Sequence, residues 1–301
     1  MKKFKITQLI IILAVLFSTA VTAQQNNPVT IYVESTRFAT PLLERWASEY
    51  EKGNPEVEIV ITKESSEKID LSLVSFVDEI SAEDFGQPIL YAGRYALLPV
   101  TNADNPLLEE VGRKGLNKDQ LENLIFEKGV LAGIDDPSSA KFKHEVTIYS
   151  GHKPESFGGT VAAHFGYSTA DIRGRKISGD DFFLIHAVRK DPSGITFNSL
   201  SYIFDIETRQ LKEELAILPL DVKKHEREVL QEGDIDEIIA LVEKGKNPLI
   251  PVENFGFVYK DDNRAVKEFL RWILSEGQRF NHDYGFLQTE ETVLTAQLKG
   301  I

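Results

Sequence analysis

The segment from Ile89 to Pro106 constrains the fold of this 301-residue chain most strongly. Tyr95 to Val100 is an apolar run of strand length, and the polar residues after it end in Pro106. A polar stretch that ends in proline stops a strand and turns the chain. The segment therefore predicts a buried strand followed by a turn. The turn fits either an ordinary hairpin-like connection or a crossing of the chain from one domain into another.

The first 23 residues have the order of a secretory signal peptide. A basic stretch precedes the mostly apolar run from Ile6 to Phe17, and the small residues Val21, Thr22 and Ala23 follow it. The apolar part is shorter than the ~20 residues of a membrane-spanning helix, which favours cleavage after Ala23 over a membrane anchor. The absence of cysteine excludes lipid attachment, disulfides and Cys-zinc sites. We therefore expect a soluble periplasmic protein.

The net charge limits the classes of binding partner, and the length indicates the number of domains. Cleavage after Ala23 removes three lysines and leaves 31 basic against 47 acidic residues, a net charge of −16. Such a surface repels polyanions, which argues against nucleic-acid binding because that affinity depends on Lys and Arg. With 42% hydrophobic residues in the whole chain, the mature length exceeds the usual size of a single core and predicts two domains.

The mature chain begins with a predicted β-α-β unit. Val29 to Glu34 and Val57 to Thr62 have the alternation of strands, and Pro41 to Lys52 has the spacing of an amphipathic helix. The loop between the first strand and the helix carries Ser35 and Thr36. Hydroxyls and free amides at a helix N-terminus favour anion binding, although Ser and Thr are also routine helix caps there.

Further elements follow from similar patterns. Ile69 to Ser75 predicts a third strand with Ser75 at its carboxyl end, where ligands of open α/β sheets bind. Leu116 to Lys128 predicts a helix with Asn117 as its cap, and Ala265 to Glu276 predicts the clearest amphipathic helix. The remaining predictions are strands at Glu145 to Tyr149 and Phe255 to Tyr259 and a helix at Ile235 to Glu243.

Two segments carry a resemblance to a known family. The first is the strand of Tyr95 to Val100 with its Asn105-Pro106 ending, and the second is the closing segment from Phe269 to Leu287, which contains Gly277-Gln278 and Gly285-Phe286. Together they resemble the phosphate-binding branch of the type II periplasmic substrate-binding proteins. Asn247 to Pro251 resembles the segment by which that family returns to its first domain.

The resemblance implies an α/β fold of the two-lobed, Venus-flytrap type. Each lobe is expected to be a mixed sheet flanked by helices, and a two-stranded hinge is expected at Pro99 to Asn102 and near Pro251. The implied division is a signal peptide of residues 1–23, lobe I of residues 24–100 with 249–301, and lobe II of residues 101–248.

The resemblance also implies a binding site for a small oxyanion between the lobes. The glycines before the helical start at Val161 let the backbone approach a ligand, and first-turn amides have no acceptor within a helix. A glycine-rich turn with a threonine cap explains the same residues equally well. The expected ligand-binding residues are Ser35, Thr36, Ser75, Ser156, Gly158, Gly159 and Thr160.

The chain departs from the family pattern at three points. Only three residues separate Ser66 from Asp70, too few for the expected helix. No aspartate matches the one that the family places near the end of the third strand to accept the ligand proton, and Phe76 follows Ser75 where a polar ligand partner is expected. No arginine matches the family's position before the glycines. Lys153 can supply the charge but lacks the planar fork of an arginine. These departures put phosphate itself in doubt.

Local catalytic motifs are absent from the sequence. The six histidines are scattered, and there is no P-loop, no G-x-S-x-G and no G-x-G-x-x-G. We therefore expect a monomeric, non-enzymatic binding protein without cofactor or metal, which delivers a phosphate-like oxyanion to an inner-membrane ABC permease or another envelope complex. The alternatives are an envelope interaction or sensing protein with a degenerate pocket and, as a minor one, a hydrolase.

Overall fold

The computed structural model describes residues 28–62, 68–75, 89–127, 142–259 and 263–301. The predictions on the signal peptide and on Phe76 lie outside these residues. The strands of the described part are β1 (Val29–Glu34), β2 (Val57–Thr62), β3 (Leu71–Val74), β4 (Ile89–Asn102), β5 (Thr147–Ser150), β6 (Arg175–Lys176), β7 (Gly194–Ser199), β8 (Leu215–Ile217) and β9 (Val252–Tyr259).

The described part of the chain also contains ten α-helices. They are α1 (Thr40–Gly53), α2 (Leu107–Val111), α3 (Lys118–Ile125), α4 (Phe157–Phe165), α5 (Phe182–Lys190), α6 (Leu200–Ile203), α7 (Lys224–Glu232), α8 (Ile235–Lys244), α9 (Arg264–Leu274) and α10 (Glu291–Gly300). Short 3-10 helices occur at Thr169–Asp171, Gly277–Phe280 and His282–Tyr284.

The strands follow one path in the order β2-β1-β3-β9-β4-β7-β5-β6, and β8 also pairs with β4. β1 is parallel to β2 and β3, and β5 is parallel to β6 and β7. β9 runs antiparallel to β3 and β4, and β4 runs antiparallel to β7 and β8. The predicted mixed α/β architecture is therefore confirmed.

β4 connects the two groups of strands. Its residues from Ile89 to Ala96 pair with β9, whereas those from Leu97 to Thr101 pair with β7. The strand predicted at Tyr95 to Val100 is confirmed and is part of this longer element. The amide of Leu97, two residues before the predicted hinge segment Pro99 to Asn102, donates to the carbonyl of Pro251 at 2.9 Å. Movement about them, and the division into lobes, stay predictions.

The predicted helices are confirmed with shifted ends. α1 contains the predicted Pro41 to Lys52, and α9 buries the apolar face of Val266, Phe269, Leu270, Ile273 and Leu274. α3 is shorter than predicted because it ends at Ile125. Asn117 caps α3 as expected, since its side chain accepts from the amide of Gln120 and the Gln120 side chain accepts in return.

No helix within the described ranges combines the length and the apolar character needed to cross a membrane.

Gly256 in β9 makes the β4–β9 pairing testable. A Cβ on Gly256 would lie 2.2 Å from the carbonyl oxygen of Leu90 in β4. We expect Gly256→Ala to lower the free energy of unfolding by ~1 to 3 kcal/mol, because the strands must separate to admit the methyl group. Urea unfolding followed by circular dichroism measures this change.

Gly245 supplies the matched control for the same substitution. A Cβ on Gly245, which follows α8, meets no atom within 4 Å. Gly245→Ala is therefore expected to leave stability unchanged or raise it by about 0.4 to 1 kcal/mol. Equal unfolding midpoints for the two variants would contradict the close approach of β9 to β4.

Candidate functional site

A cavity of about 170 Å³ lies between two walls of the protein. The first wall is the loop after β1 together with the residue that follows β3. The second wall is the loop from Gly151 to Phe157, the segment from Gly179 to Asp181, and Tyr202 in α6. The lining residues are Thr36, Phe38, Ser75, Gly151, His152, Lys153, Glu155, Ser156, Phe157, Gly179, Asp180, Asp181 and Tyr202.

The cavity brings together three of the seven residues predicted to bind a ligand. Thr36 and Ser75 line it from the first wall, and Ser156 lines it from the second. The other four, Ser35, Gly158, Gly159 and Thr160, are not among its lining residues. The ligand-binding role of all seven stays a prediction.

The loop after β1 uses most of its hydroxyls internally. Thr40 Oγ1 donates to the carbonyl of Thr36 at 2.8 Å and lies 3.1 Å from Ser35 Oγ, which itself donates to the carbonyl of Thr36. Thr36 Oγ1 differs, because it is buried and has no hydrogen-bond partner among the described residues. A buried unpartnered hydroxyl is costly, so this loop carries an unsatisfied polar atom next to the cavity.

Phe38 from the same loop joins the two walls. Its ring makes edge contacts with Phe157 at 5.4 Å and Tyr202 at 6.4 Å in the second wall. It also contacts Tyr95, Phe255 and Phe286, with ring centroids 5.1, 6.0 and 4.9 Å away. Only 6% of Phe38 is exposed. The cavity is therefore bounded on one side by a packed aromatic cluster.

The start of α4 explains the glycines that the sequence singles out. Ser156 is the N-cap, and its Oγ accepts from the amide of Gly159 at 3.3 Å and donates to the carbonyl of Lys153 at 2.6 Å. A Cβ on Gly159 would lie 1.8 Å from the carbonyl oxygen of Pro154, so the backbone requires glycine there. The capping residue is thus Ser156 and not Thr160.

Thr160 faces the interior of the protein. Only 4% of it is exposed, and its Oγ1 lies 3.0 Å from the hydroxyl of Tyr95 in β4. Tyr95 is 1% exposed, and burial raises the pKa of its hydroxyl. The Thr160 hydroxyl therefore holds α4 against β4 by a buried side-chain hydrogen bond.

Asp181 is a cavity residue that sequence reasoning missed. Its Oδ2 accepts from the amide of Phe157 at 3.0 Å, whereas its Oδ1 is buried without a partner among the described residues. Burial, reinforced by the negative charge of Asp180, raises the pKa of the Asp181 carboxyl to about 7, although the Phe157 amide opposes that change. The signal that the sequence offers for this residue is the acidic pair Asp180-Asp181 before α5. An ordinary helix N-cap produces the same pattern, so the pair alone does not indicate a cavity.

The remaining groups around the cavity carry mixed charge. Asp180 Oδ1 accepts from the hydroxyl of Tyr202 at 3.0 Å and from the amide of Phe182 at 2.8 Å. His152, Lys153 and Glu155 are exposed at the rim. No group of three or more His, Asp or Glu residues able to hold a metal occurs in the described part of the chain.

Comparison with known proteins identifies the fold. No protein-family model matches the chain, and no curated protein matches it. Among solved structures, a protein of Clostridium perfringens described as a phosphate ABC transporter substrate-binding protein with bound phosphate is 15% identical, with a TM-score of 0.60, and the match covers 87% of this chain and 100% of that one.

Two further structures give the same result. An ABC-type phosphate transport receptor of Vibrio cholerae is 12% identical over 86% of this chain and 100% of that one, with a TM-score of 0.56. PstS of Borrelia burgdorferi is 14% identical over 87% of this chain and 99% of that one, with a TM-score of 0.51. The fold is therefore that of the type II periplasmic binding proteins, and the resemblance read from the sequence is confirmed at the level of fold.

The raised pKa of Asp181 predicts a pH dependence of stability. Its folded value of about 7 lies above the ordinary 3.8, so ionisation of the folded protein opposes stability as pH rises between these values. Asp181→Asn removes this ionisation. The quantity to follow is the free energy of unfolding of the variant minus that of wild type. We expect this difference to increase by roughly 2 to 4 kcal/mol from pH 4 to above pH 7 and then to level off.

Chemical unfolding at a series of pH values measures this difference. Asp104→Asn is the control, because Asp104 is exposed and lies outside the cavity lining. A constant difference between Asp181→Asn and wild type across that range would show that Asp181 ionises at its ordinary pKa.

Proposed function

We propose that the protein is a non-enzymatic solute-binding protein that captures a small oxyanion in the cavity between the two walls. One observation carries the proposal: the cavity brings the hydroxyl residues Thr36 and Ser75 of the first wall opposite Ser156 and Lys153 of the second. Hydroxyl and ammonium groups are hydrogen-bond donors of the kind that an oxyanion accepts.

The size and polarity of the cavity agree with a small polar ligand. Its volume of about 170 Å³ is below the ~300 to 1,000 Å³ of pockets for larger organic ligands. Lys153 at the rim and the Ser75 hydroxyl favour an anionic oxygen. Asp181 lines the same cavity, so its carboxyl repels an anion when it is ionised.

The fold neighbours support a transport role for the bound anion. Two of the structures described above, those of Clostridium perfringens and Vibrio cholerae, belong to ABC-type phosphate transport by their descriptions. By analogy, this protein acts as a monomer in the periplasm and delivers its anion to an ABC permease. The signal-like order of its first 23 residues supports export.

An envelope interaction or sensing protein with a degenerate pocket is the second candidate. The packing of Phe38 against rings of both walls favours it, since separation of the walls would expose a buried aromatic side chain. Such a protein would keep the fold without capturing a solute.

A thermal-shift screen of residues 24–301 distinguishes the two candidates. The probes are phosphate, sulfate, molybdate and small organic anions. A binder should be stabilised by ~2.7 kcal/mol at an anion concentration of 100 times its Kd. The absence of any stabilisation would reject the solute-binding proposal and favour the interaction protein.

Two hydroxyl variants test the cavity itself. Ser75→Ala removes a predicted ligand hydroxyl from the cavity lining, so we expect anion affinity to fall about tenfold with little loss of stability. Thr160→Val leaves the buried Tyr95 hydroxyl without its partner, so we expect a loss of ~1 to 3 kcal/mol of stability at unchanged affinity. Calorimetry and urea unfolding measure the two effects. If only the Thr160 variant lost affinity, the anion would bind at the buried side of α4 and not in the cavity.

A further inference from the structure

We propose that the Arg37 guanidinium binds the anion at the mouth of the cavity, through two of the anion's oxygens. The inference rests on the proposed function, because it concerns the same cavity. Arg37 is neither a residue predicted to bind a ligand nor one of the lining residues.

The charges of the cavity lining oppose an anion. Lys153 is the only lysine or arginine among the lining residues, whereas Glu155, Asp180 and Asp181 are acidic. Even when Asp181 is neutral, two carboxylates outnumber the one ammonium group. Like charges repel strongly at contact distance, so capture of an anion requires a further positive group next to the lining.

Arg37 lies at the mouth of the cavity. It follows Thr36 and precedes Phe38, which both line the cavity. Its guanidinium carbon lies 5.9 Å from the ring centroid of Phe182 and 5.9 Å from that of Phe183, at the start of α5 next to the second wall. The side chain therefore reaches from the first wall to the second.

Two further contacts place the guanidinium close to the lining. The Phe183 ring lies against the lining residue Gly179, because a Cβ on Gly179 would be 3.3 Å from that ring. Burial and the nearby Asp180 raise the pKa of the Tyr202 hydroxyl, and the charge of Arg37 opposes that change. Tyr202 lines the cavity, so the field of the guanidinium reaches the lining.

The guanidinium is available to an anion. Arg37 is exposed, and its side chain makes no hydrogen bond or ion pair with the described residues. By contrast, Arg45 is paired with Glu49 on the outer side of α1. The ring contacts of Arg37 are weaker than the bidentate, charge-assisted pair that a guanidinium forms with an oxyanion. An anion at the mouth can therefore draw the guanidinium away from the rings.

A different role would explain the ring contacts alone. Arg37 and Phe183 would then only hold the two walls together, and removal of either side chain would have the same effect on anion affinity. In the proposed role the guanidinium itself contacts the anion, and the Phe183 ring gives it up when the anion binds.

Calorimetry on residues 24–301 with sulfate, phosphate and molybdate, one at a time, tests the inference. Arg37→Gln removes the charge, so we expect affinity for the anion that binds to fall about tenfold or more. Arg37→Lys keeps the charge without the fork and should have an affinity between those of wild type and Arg37→Gln. Added sodium chloride should weaken binding more in wild type than in Arg37→Gln, because the variant has lost one cation from the site.

Two further variants separate the anion contact from other effects. Arg113→Gln makes the same change at an exposed position outside the cavity lining and should match wild type. Phe183→Leu should keep or increase the affinity, because the guanidinium no longer has to leave that ring. Urea unfolding checks that each variant folds.

The outcomes distinguish this inference from the proposed function. An oxyanion that wild type binds and Arg37→Gln binds equally well or better overturns the inference alone. Equal losses in Arg37→Gln and Phe183→Leu also overturn it, because Arg37 then acts through the contact between the walls. An equal loss in Arg113→Gln overturns it as well, because net charge is then the cause. No binding of any oxyanion by wild type overturns both the inference and the proposed function.

Discussion

The antiparallel pair of β4 and β9 is the constraint on which the rest of the structure depends. β4 pairs with β9 along one half and with β7 along the other, so both groups of strands are positioned by one continuous backbone. The pairing is irregular between Tyr91 and Gly93, where a Cβ on Gly93 would lie 2.5 Å from the Phe255 ring. This close approach places Phe255 in the aromatic cluster beside the cavity.

The aromatic cluster bounds the cavity and connects its two walls. Phe38 contacts Phe255 and Phe286 on one side and Phe157 and Tyr202 on the other. Aromatic pairs of this kind contribute about 0.5 to 1.5 kcal/mol each beyond the area they bury. Opening the two walls would expose Phe38 and break several such contacts. The contacts of Phe38 therefore oppose separation of the two walls.

Local sequence patterns predicted most of the elements but only part of the site. The apolar spacing of α9 and the Asn117 cap of α3 are local signals, so both were recoverable. The roles of Thr160 and Asp181 depend on distant partners: Thr160 meets Tyr95, 65 positions away, and Asp181 meets the Phe157 amide, 24 positions away. Neither separation leaves a periodic pattern, and the raised pKa of Asp181 arises only when the chain buries it.

Asp181 sets an electrostatic condition on any ligand of the cavity. The Phe157 amide, a donor at the helix start, is already bonded to its Oδ2 and is not available to a ligand. Burial raises the pKa of the Asp181 carboxyl to about 7, because the charged form loses its hydration. Above that pH the cavity carries a negative charge on Asp181, whereas below it the carboxyl is neutral. The charge of the cavity lining therefore depends on pH near neutrality, as the charge of a lysine or arginine at the same place would not.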